Sequence, residues 1–343
     1  MLLTDRQPPE TCGISQSVLD FVGDTPMMNL AVEHDGQTWK FYAKLEFMNP
    51  TGSVKDRIAR YIIEKAEERG ELKPDSLVVE ATSGNTGIGL AMVCAVKGYK
   101  LIIVMPEHMS AERRKILTGL GAELCLTPSA DSFAGARARA ESIAARDPKV
   151  FLPRQFQNED NIACHYNTTA IEILRQLAGI RIDSFVAGIG TGGTLMGVGR
   201  RLREINPKVK LVAVEPTEAA ILSGGHEMAA HQIAGIGDGF VPEIVDIDMI
   251  DWTEAVPGAD AVSMAQTISR EYGLMVGVSS GANVLATIAV LRKLGPDANV
   301  VTVLPDRSER YFSTDLYASK RQEIVRTCTK SCENAFCEFR SEV

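Results

Sequence analysis

One lysine, Lys55, lies where the sequence predicts that a turn meets the start of a helix. Asn-Pro and Thr-Gly pairs occur in the segment 49–57, and such pairs are typical of turns. Apolar residues at helical spacing follow over 58–69. A lysine amine becomes a nucleophile when burial or a positive field lowers its pKa, and a helix N-terminus supplies such a field. Lys55 is therefore a candidate for Schiff-base chemistry, with an ordinary surface lysine as the alternative.

A loop at 82–87, with the sequence Thr-Ser-Gly-Asn-Thr-Gly, follows a predicted strand. Main-chain N–H groups at the start of the next helix, with these hydroxyls and the amide, make a cradle for a carboxylate or a phosphate. Ser, Thr and Asn also cap helices, so a purely structural role explains the same residues. The loop is a candidate anion site, and one segment can serve both purposes.

A second glycine-rich loop, 188–194, reads Gly-Ile-Gly-Thr-Gly-Gly-Thr and also follows a predicted strand. Its spacing matches the Gly-x-Gly-x-x-Gly pattern of dinucleotide sites, and Glu215 stands after the next strand. However, the loop lies past the middle of the chain, and the hydroxyls of Thr191 and Thr194 suit a terminal phosphate. A phosphate cradle is the favoured interpretation, and a dinucleotide site and a structural turn are the alternatives.

Strand-like and helix-like segments alternate along most of the chain and must position these loops. The sequence predicts strands at 77–80, 101–105, 122–126, 185–187 and 211–214, and helices at 87–97, 111–120 and 132–145. This alternation predicts βαβ units, a parallel sheet and an α/β fold. Ligands of such folds bind at strand-to-helix junctions, which is where both loops lie.

The composition of the 343 residues, 45% apolar and 23% charged, is ordinary for a globular protein of one or two domains. The net charge of −8 argues against nucleic acid or an anionic membrane as a partner. The sequence shows neither a signal-peptide pattern nor an apolar run of membrane-spanning length. Seven scattered or tail cysteines favour a reducing compartment, so we expect a cytoplasmic protein with no membrane span.

Five separated motifs occur in the order found in the cysteine synthase (O-acetylserine sulfhydrylase) family of fold-type II pyridoxal-phosphate (PLP) enzymes. They are the segments 49–57, 82–87, 155–158, 190–194 and 277–282. The resemblance implies two domains, each with a largely parallel sheet flanked by helices, and PLP in the cleft between them. It implies a smaller substrate-binding domain at 50–157, a larger phosphate-binding domain at 10–49 plus 158–320, and a cysteine-containing tail at 321–343.

The resemblance also implies a role for each matching residue. Lys55 would form the Schiff base with PLP and move the substrate α-proton, and Asn85 would bond the ring hydroxyl. Ser279 would face the pyridine nitrogen, where a neutral hydroxyl favours loss of a β-substituent over transamination. The substrate carboxylate would lie on Thr82, Ser83, Thr86 and Gln155, and the phosphate on Gly190, Thr191, Gly192, Gly193 and Thr194. Without the resemblance, Ser279 is a turn or cap residue and Gln155 an exposed strand-end amide.

These roles imply PLP-dependent β-replacement, and the family resemblance implies a homodimer. The main hypothesis is synthesis of L-cysteine from O-acetyl-L-serine and sulfide through an aminoacrylate intermediate. The alternative is a β-lyase, or a synthase that uses another substrate or nucleophile, as in cystathionine- or diaminopropionate-type synthesis. A non-catalytic binding partner and an NAD-dependent oxidoreductase are more distant alternatives.

Asp238, in the segment 235–242, stands where many family members have a small residue. Its carboxylate would repel sulfide but can orient water or bind the amino group of a larger nucleophile. We therefore expect Asp238 to tune the choice of substrate or nucleophile, with a solvent-facing Asp-Gly turn as the alternative.

Two further features lie outside the matching motifs. His226, near the same expected cleft, is a candidate proton carrier or an ordinary surface histidine. The tail contains Cys328, Cys332 and Cys337, which we expect to be reduced and unstructured, without a metal. Metal binding and a redox-sensitive disulfide are the alternatives for these cysteines.

Overall fold

The computed structural model describes residues 15–82, 84–225 and 229–317. Its strands are β1 (Met27–His34), β2 (Gln37–Lys44), β3 (Leu77–Ala81), β4 (Lys100–Pro106), β5 (Glu123–Thr127), β6 (Val150–Phe151), β7 (Ser184–Gly188), β8 (Lys210–Pro216), β9 (Trp252–Val256) and β10 (Val300–Val303). Its α-helices are α1 (Lys55–Glu68), α2 (Asn85–Lys97), α3 (Ala111–Gly119), α4 (Ser132–Ala144), α5 (Glu159–Asn167), α6 (Thr169–Gln176), α7 (Gly193–Ile205), α8 (Gly258–Tyr272) and α9 (Val278–Leu294). Each strand and helix predicted from the sequence is present, and the α/β fold is confirmed.

The larger sheet has six strands in the order β1-β2-β10-β7-β8-β9. Neighbouring strands are parallel except β1 and β2, which form an antiparallel hairpin. Asp35 and Gly36 close this hairpin with φ angles of 52° and 74°, and a two-residue hairpin turn of this kind needs positive φ at both positions. The central strands are buried on both faces, as parallel strands covered by helices require.

The smaller sheet has four strands in the order β5-β4-β3-β6 and is parallel throughout. Helices α1, α2 and α3 pack on one face, and α4 packs on the other. Val78 and Val79 of β3 alternate between these two cores and are both fully buried. Because β3 has a neighbouring strand on each side, its carboxyl end is held close to the start of α2.

The two sheets draw on different parts of the chain. Strands of the smaller sheet lie within 77–151, whereas the larger sheet uses strands before residue 45 and after residue 183. The exact domain limits, 50–157 and 10–49 plus 158–320, stay predictions. Within the described ranges, no helix is long and apolar enough to cross a membrane.

Several predicted features lie outside the residues that the structure describes. They are Ser83, His226 and the tail at 321–343 with Cys328, Cys332 and Cys337. The expectations for these residues stay predictions.

Candidate functional site

A cavity of about 300 Å³ is lined by segments associated with both sheets, and its volume is at the lower end of the range for small-molecule sites. The predicted site residues that line it are Lys55, Thr82, Asn85, Thr86, Gln155, Gly190, Thr191, Gly192, Thr194, Asp238 and Ser279. Gly193 begins α7 directly after the glycine loop. The fold thus brings distant sequence motifs to one place.

Lys55 is the first residue of α1, as the sequence predicted, and its side chain is half-buried at the cavity. Burial lowers the pKa of its ammonium group, while the nearby carboxylates of Asp238 and Asp306 act in the opposite direction. Because neutral amine is the nucleophilic and basic form, this environment suits a reactive lysine.

Asn85, the first residue of α2, is held by two charged side chains from the C-terminal part of the described chain. Its Nδ2 donates to Asp306 Oδ2 at 2.7 Å, and its Oδ1 accepts a hydrogen bond from Arg310. Tyr311 also donates to Asp306, which is buried. Burial raises the pKa of Asp306, and the charge of Arg310 opposes the shift. The amide of Asn85 therefore has a fixed orientation.

Three of the four predicted carboxylate-binding residues line the cavity. Thr82, Thr86 and Gln155 are buried, and Thr86 Oγ1 donates to Gln155 Oε1 at 2.5 Å. The Nε2 group of Gln155 makes no hydrogen bond within the described residues, so its two hydrogens are available to a ligand. Gln155 therefore lines the cavity and is not an exposed strand-end amide.

The glycine loop between β7 and α7 has a conformation that side chains would not permit. Gly192 has a φ angle of 85°, in the left-handed region that favours glycine. A Cβ at Gly190 would overlap the carbonyl of Gly235, and one at Gly193 would overlap the side chain of Asn161. The loop can thus approach a ligand closely at the N-terminus of α7, where anions are stabilised.

The two threonines of this loop are held from behind by helix α5. Asn161 Nδ2 donates to Thr191 Oγ1 at 3.0 Å, and His165 Nε2 lies 3.2 Å from Thr194 Oγ1. Burial lowers the pKa of His165 to about 3, so the imidazole is neutral near pH 7. Both hydroxyls therefore have defined positions, and the imidazole beside Thr194 carries no charge.

Ser279 and Asp238 approach the cavity from other segments. Ser279 is the second residue of α9 and only 4% exposed, which a solvent-facing cap would not be. Asp238 lies in a loop whose Phe240 packs edge-on against Phe156, with 5.1 Å between ring centroids. Burial raises the pKa of Asp238, and the charge of Lys55 opposes this rise. Asp238 thus borders the cavity, although the residue as a whole is exposed to solvent.

Sequence reasoning missed Asp306, Asn161 and His165 as parts of the site. The side chain of each one forms a hydrogen bond with a predicted site residue that lies far away in the sequence. The one usable signal was a charged residue, Asp306, shortly after the buried strand β10. Glu215, the residue that a dinucleotide site would use, instead accepts hydrogen bonds from the main chain of Leu222 and Ser223.

Comparisons with known proteins agree with this geometry. The family described as "Pyridoxal-phosphate dependent enzyme" matches residues 18–306. A cysteine synthase of Staphylococcus aureus is 45% identical over 302 residues, which cover 88% of this chain and 97% of that protein. A solved cysteine synthase structure from Entamoeba histolytica has 37% identity and a TM-score of 0.86, covering 94% of this chain and 96% of that one. A hydrogen sulfide-producing enzyme from Fusobacterium nucleatum has 40% identity and a TM-score of 0.85, covering 90% and 92%.

These matches confirm the resemblance, the fold type and PLP as the cofactor. They also confirm that the protein is an enzyme, of the transferase type that the sequence motifs implied, and they favour PLP over a dinucleotide. The chain belongs to the family of pyridoxal-phosphate dependent enzymes, with the fold of the cysteine synthases.

Proposed function

We propose that this enzyme makes L-cysteine from O-acetyl-L-serine and sulfide by β-replacement. One observation carries the proposal: a cavity holds Lys55, whose pKa is lowered, together with two separate anion-binding loops. One loop suits the cofactor phosphate and the other suits the carboxylate of an amino acid. The similarity to cysteine synthases supports the choice of substrates.

The residues around the cavity fit PLP. The glycine loop gives a phosphate close access to the N-terminus of α7, since a Cβ at Gly190 or Gly193 would collide with its neighbours. Asn85 Nδ2 donates one hydrogen to Asp306 and retains a second one for the ring hydroxyl. Ser279 would face the ring nitrogen. When bound, PLP supplies an electron sink for the substrate α-carbon.

The chain's own residues then divide the remaining tasks. Thr82, Thr86 and Gln155 bind the α-carboxylate and orient the amino acid, with the free hydrogens of Gln155 as donors. Lys55 removes the α-proton and later returns it, since its lowered pKa makes the neutral amine accessible. The β-substituent leaves, and the nucleophile adds to the β-carbon.

A product survey tests this proposal. The purified holoenzyme is given O-acetylserine, O-phosphoserine, serine or cysteine, each with sulfide, with an amine nucleophile or alone. We expect the highest kcat/KM for O-acetylserine with sulfide, and cysteine as the product. A higher value for another pair would assign the enzyme to that substrate or nucleophile instead.

The close approach of Gly193 to helix α5 gives a prediction for cofactor binding. We expect Gly193→Ala to raise the dissociation constant for PLP by about tenfold or more, because the new methyl group must displace Asn161 or the loop. Gly119→Ala is the matched control, because Gly119 lies in helix α3 with open space around its Cα. Fluorescence titration of the two apo-proteins with PLP measures the difference. Equal dissociation constants would show that the loop tolerates a side chain.

A second candidate function is favoured by Asp238, whose carboxylate lies in the cavity with Lys55. Negative charge there disfavours the hydrosulfide ion, and a carboxylate can orient water or bind an ammonium group. We propose that Asp238 shifts the enzyme toward β-elimination from cysteine, or toward an amine-bearing nucleophile. One structural relative is a hydrogen sulfide-producing enzyme, which supports the eliminating version.

Comparison of Asp238→Ala with the wild type tests this role. We expect the ratio of cysteine synthesis to sulfide release from cysteine alone to rise by about tenfold, since the charge that opposes hydrosulfide is removed. Asp238→Asn serves as the matched variant that retains the size of the side chain. If the ratio is the same in all three proteins, Asp238 has no part in the choice of nucleophile.

We propose further that the enzyme is a cytoplasmic homodimer. Three large apolar side chains, those of Phe21, Met48 and Phe312, are 60%, 49% and 54% exposed. The family resemblance makes a second copy of the chain the natural partner, and apolar side chains of this kind would be stabilised by burial against it. The acidic composition with free buried cysteines supports a reducing compartment.

A further inference from the structure

Glu80, the fourth residue of β3, is a buried carboxylate with no part in the mechanism above. Its Oε2 accepts a hydrogen bond from the main-chain N–H of Arg154 at 3.0 Å, and its Oε1 accepts one from Gln155 at 3.2 Å. Hydrogen bonds to an ionised carboxylate are stronger than bonds between neutral groups. Glu80 therefore holds the main chain where Gln155 enters the cavity.

The backbone at this point needs such support. Arg154 has a φ angle of 50°, in the left-handed region that residues with a Cβ seldom adopt. Without an external partner, this residue would tend to relax toward negative φ and turn Gln155 away from the cavity. The carboxylate of Glu80 bonds the N–H groups on both sides of the unusual Cα, so it opposes that relaxation directly.

A second buried side chain holds Gln155 from the opposite side. Asn161 is fully buried, and its Nδ2 donates to the carbonyl of Gln155 at 2.8 Å and to Thr191 Oγ1 at 3.0 Å. The amide of Asn161 also occupies the space beside Gly193 that a side chain would need. Asn161 thus joins the segment of Gln155 to the glycine loop.

We propose that Glu80 and Asn161 are positioning residues that fix Gln155 for the substrate carboxylate. Glu80 acts on the carboxylate site alone, whereas Asn161 acts on the carboxylate site and on the loop for the cofactor phosphate. This inference rests on the proposed function, because it takes Gln155 as a ligand of the amino-acid carboxylate. Neither residue contacts the reacting atoms.

The charge of Glu80 makes its contribution dependent on pH. Burial raises the pKa of Glu80 to about 7. The hydrogen bonds from Gln155 and Arg154 and the charge of Arg154 act in the opposite direction. Glu141 on α4 raises the pKa further, and Arg137 on the same helix lines the small cavity beside Glu80. Above pH 7 both oxygens accept hydrogen bonds. Below pH 7, a proton on one carboxylate oxygen weakens one of the two hydrogen bonds to the main chain.

The test compares Glu80→Gln with the wild-type holoenzyme between pH 6 and pH 8.5. We expect Glu80→Gln to raise KM for the amino-acid substrate at pH 8 by about tenfold, with kcat within about twofold, because a charge-assisted bond is lost. The wild-type KM should rise as the pH falls through 7, and the variant should lack that rise. Glu141→Gln leaves both main-chain hydrogen bonds to Glu80 in place, so it should retain the rise in KM but move it to lower pH, because Glu141 raises the pKa of Glu80.

Asn161→Ala separates the two parts of the proposal. We expect it to raise KM and also to raise the dissociation constant for PLP and shift the ³¹P resonance of the bound phosphate. Glu80→Gln should leave both phosphate readouts unchanged. Asn167→Ala, on the same helix with a surface contact to Tyr61, is the control for changes in α5.

Three outcomes would overturn the inference. They are an unchanged KM in Glu80→Gln, a wild-type KM without a rise near pH 7, and an unchanged phosphate resonance in Asn161→Ala. If a variant fails to fold, the absence of a rise in the wild-type KM near pH 7 would still contradict the role of Glu80. If the wild type turns over no amino acid at all, the proposed function fails, and a direct measurement of the Asn161 effect on PLP binding still tests the link to the glycine loop.

Discussion

Replacement of Lys55 by alanine is expected to lower the rate of β-replacement by about 10⁴-fold or more. General acid–base catalysis by one positioned group contributes about 10²–10⁴-fold, and Lys55 is also the proposed covalent anchor of the cofactor. No other lysine lines the cavity among the described residues, so no neighbour can take over either role. The variant should still bind PLP weakly through the glycine loop, because that loop does not depend on the lysine.

Steady-state kinetics and borohydride reduction check this prediction together. Reduction of the wild type should leave a pyridoxyl group on Lys55, and reduction of Lys55→Ala should leave none. Lys65→Ala is the matched control, because Lys65 lies on the same helix but is partly exposed and paired with Glu68. Retention of more than about 1% of the wild-type rate in Lys55→Ala would contradict the proton-carrier role.

Local sequence was sufficient to predict Lys55 and the two loops that line the cavity, whereas Gln155 and Ser279 were identified through the family resemblance. Lys55 at a helix N-terminus and the two loops at strand-to-helix junctions follow from turn residues and apolar periodicity, which act over short distances. The parallel strands were predicted for the same reason. The ordered motifs then identified the family, which the comparisons confirm.

The supporting residues were not predictable in this way, because their partners are far away in the chain. Glu80 bonds main-chain groups 74 and 75 residues later, and Asn85 bonds Asp306 at a separation of 221 residues. Such contacts depend on how the strands order themselves in the sheets, which short-range patterns do not encode. The hairpin of β1 and β2 and the late strand β10 were missed because neither belongs to an obvious βαβ unit.

A buried group of charges behind the active site provides the other large expected effect. Arg57, two residues after Lys55, bonds Glu46 Oε2 and Glu172 Oε1 at 2.6 Å each. Lys44 also bonds Glu172, at 2.6 Å. This group of charges joins helix α1, which packs on the smaller sheet, to strand β2 of the larger sheet and to helix α6. It therefore fixes the start of α1, and with it Lys55, against the rest of the molecule.

We expect Arg57→Met to lower the free energy of unfolding at pH 7 by about 3–5 kcal/mol, since removal of one partner leaves buried Glu46 without its main counter-charge. Arg60→Met, on the same helix, removes a partly exposed pair with Glu64 and a hydrogen bond to the carbonyl of Leu19, and should cost about 1–2 kcal/mol. Urea unfolding of the two holoenzymes, followed by circular dichroism, measures both values. An effect of Arg57→Met no larger than that of Arg60→Met would contradict a structural role for the buried group.

The pH dependence of this effect has a definite sign. Burial alone would raise the pKa of Glu172, but hydrogen bonds and charge from Arg57 and Lys44 bring it down to about 2, below the ordinary value of 4.5. A carboxylate with a depressed pKa contributes stability that is present above about pH 4.5 and is lost as the pH falls toward 2. The stability difference between wild type and Arg57→Met should therefore be largest near neutral pH and shrink in acid, because protonation removes the charge that Arg57 compensates. A difference that stays constant from pH 7 to pH 3 would mean that Arg57 contributes through packing of its side chain and not through its charge.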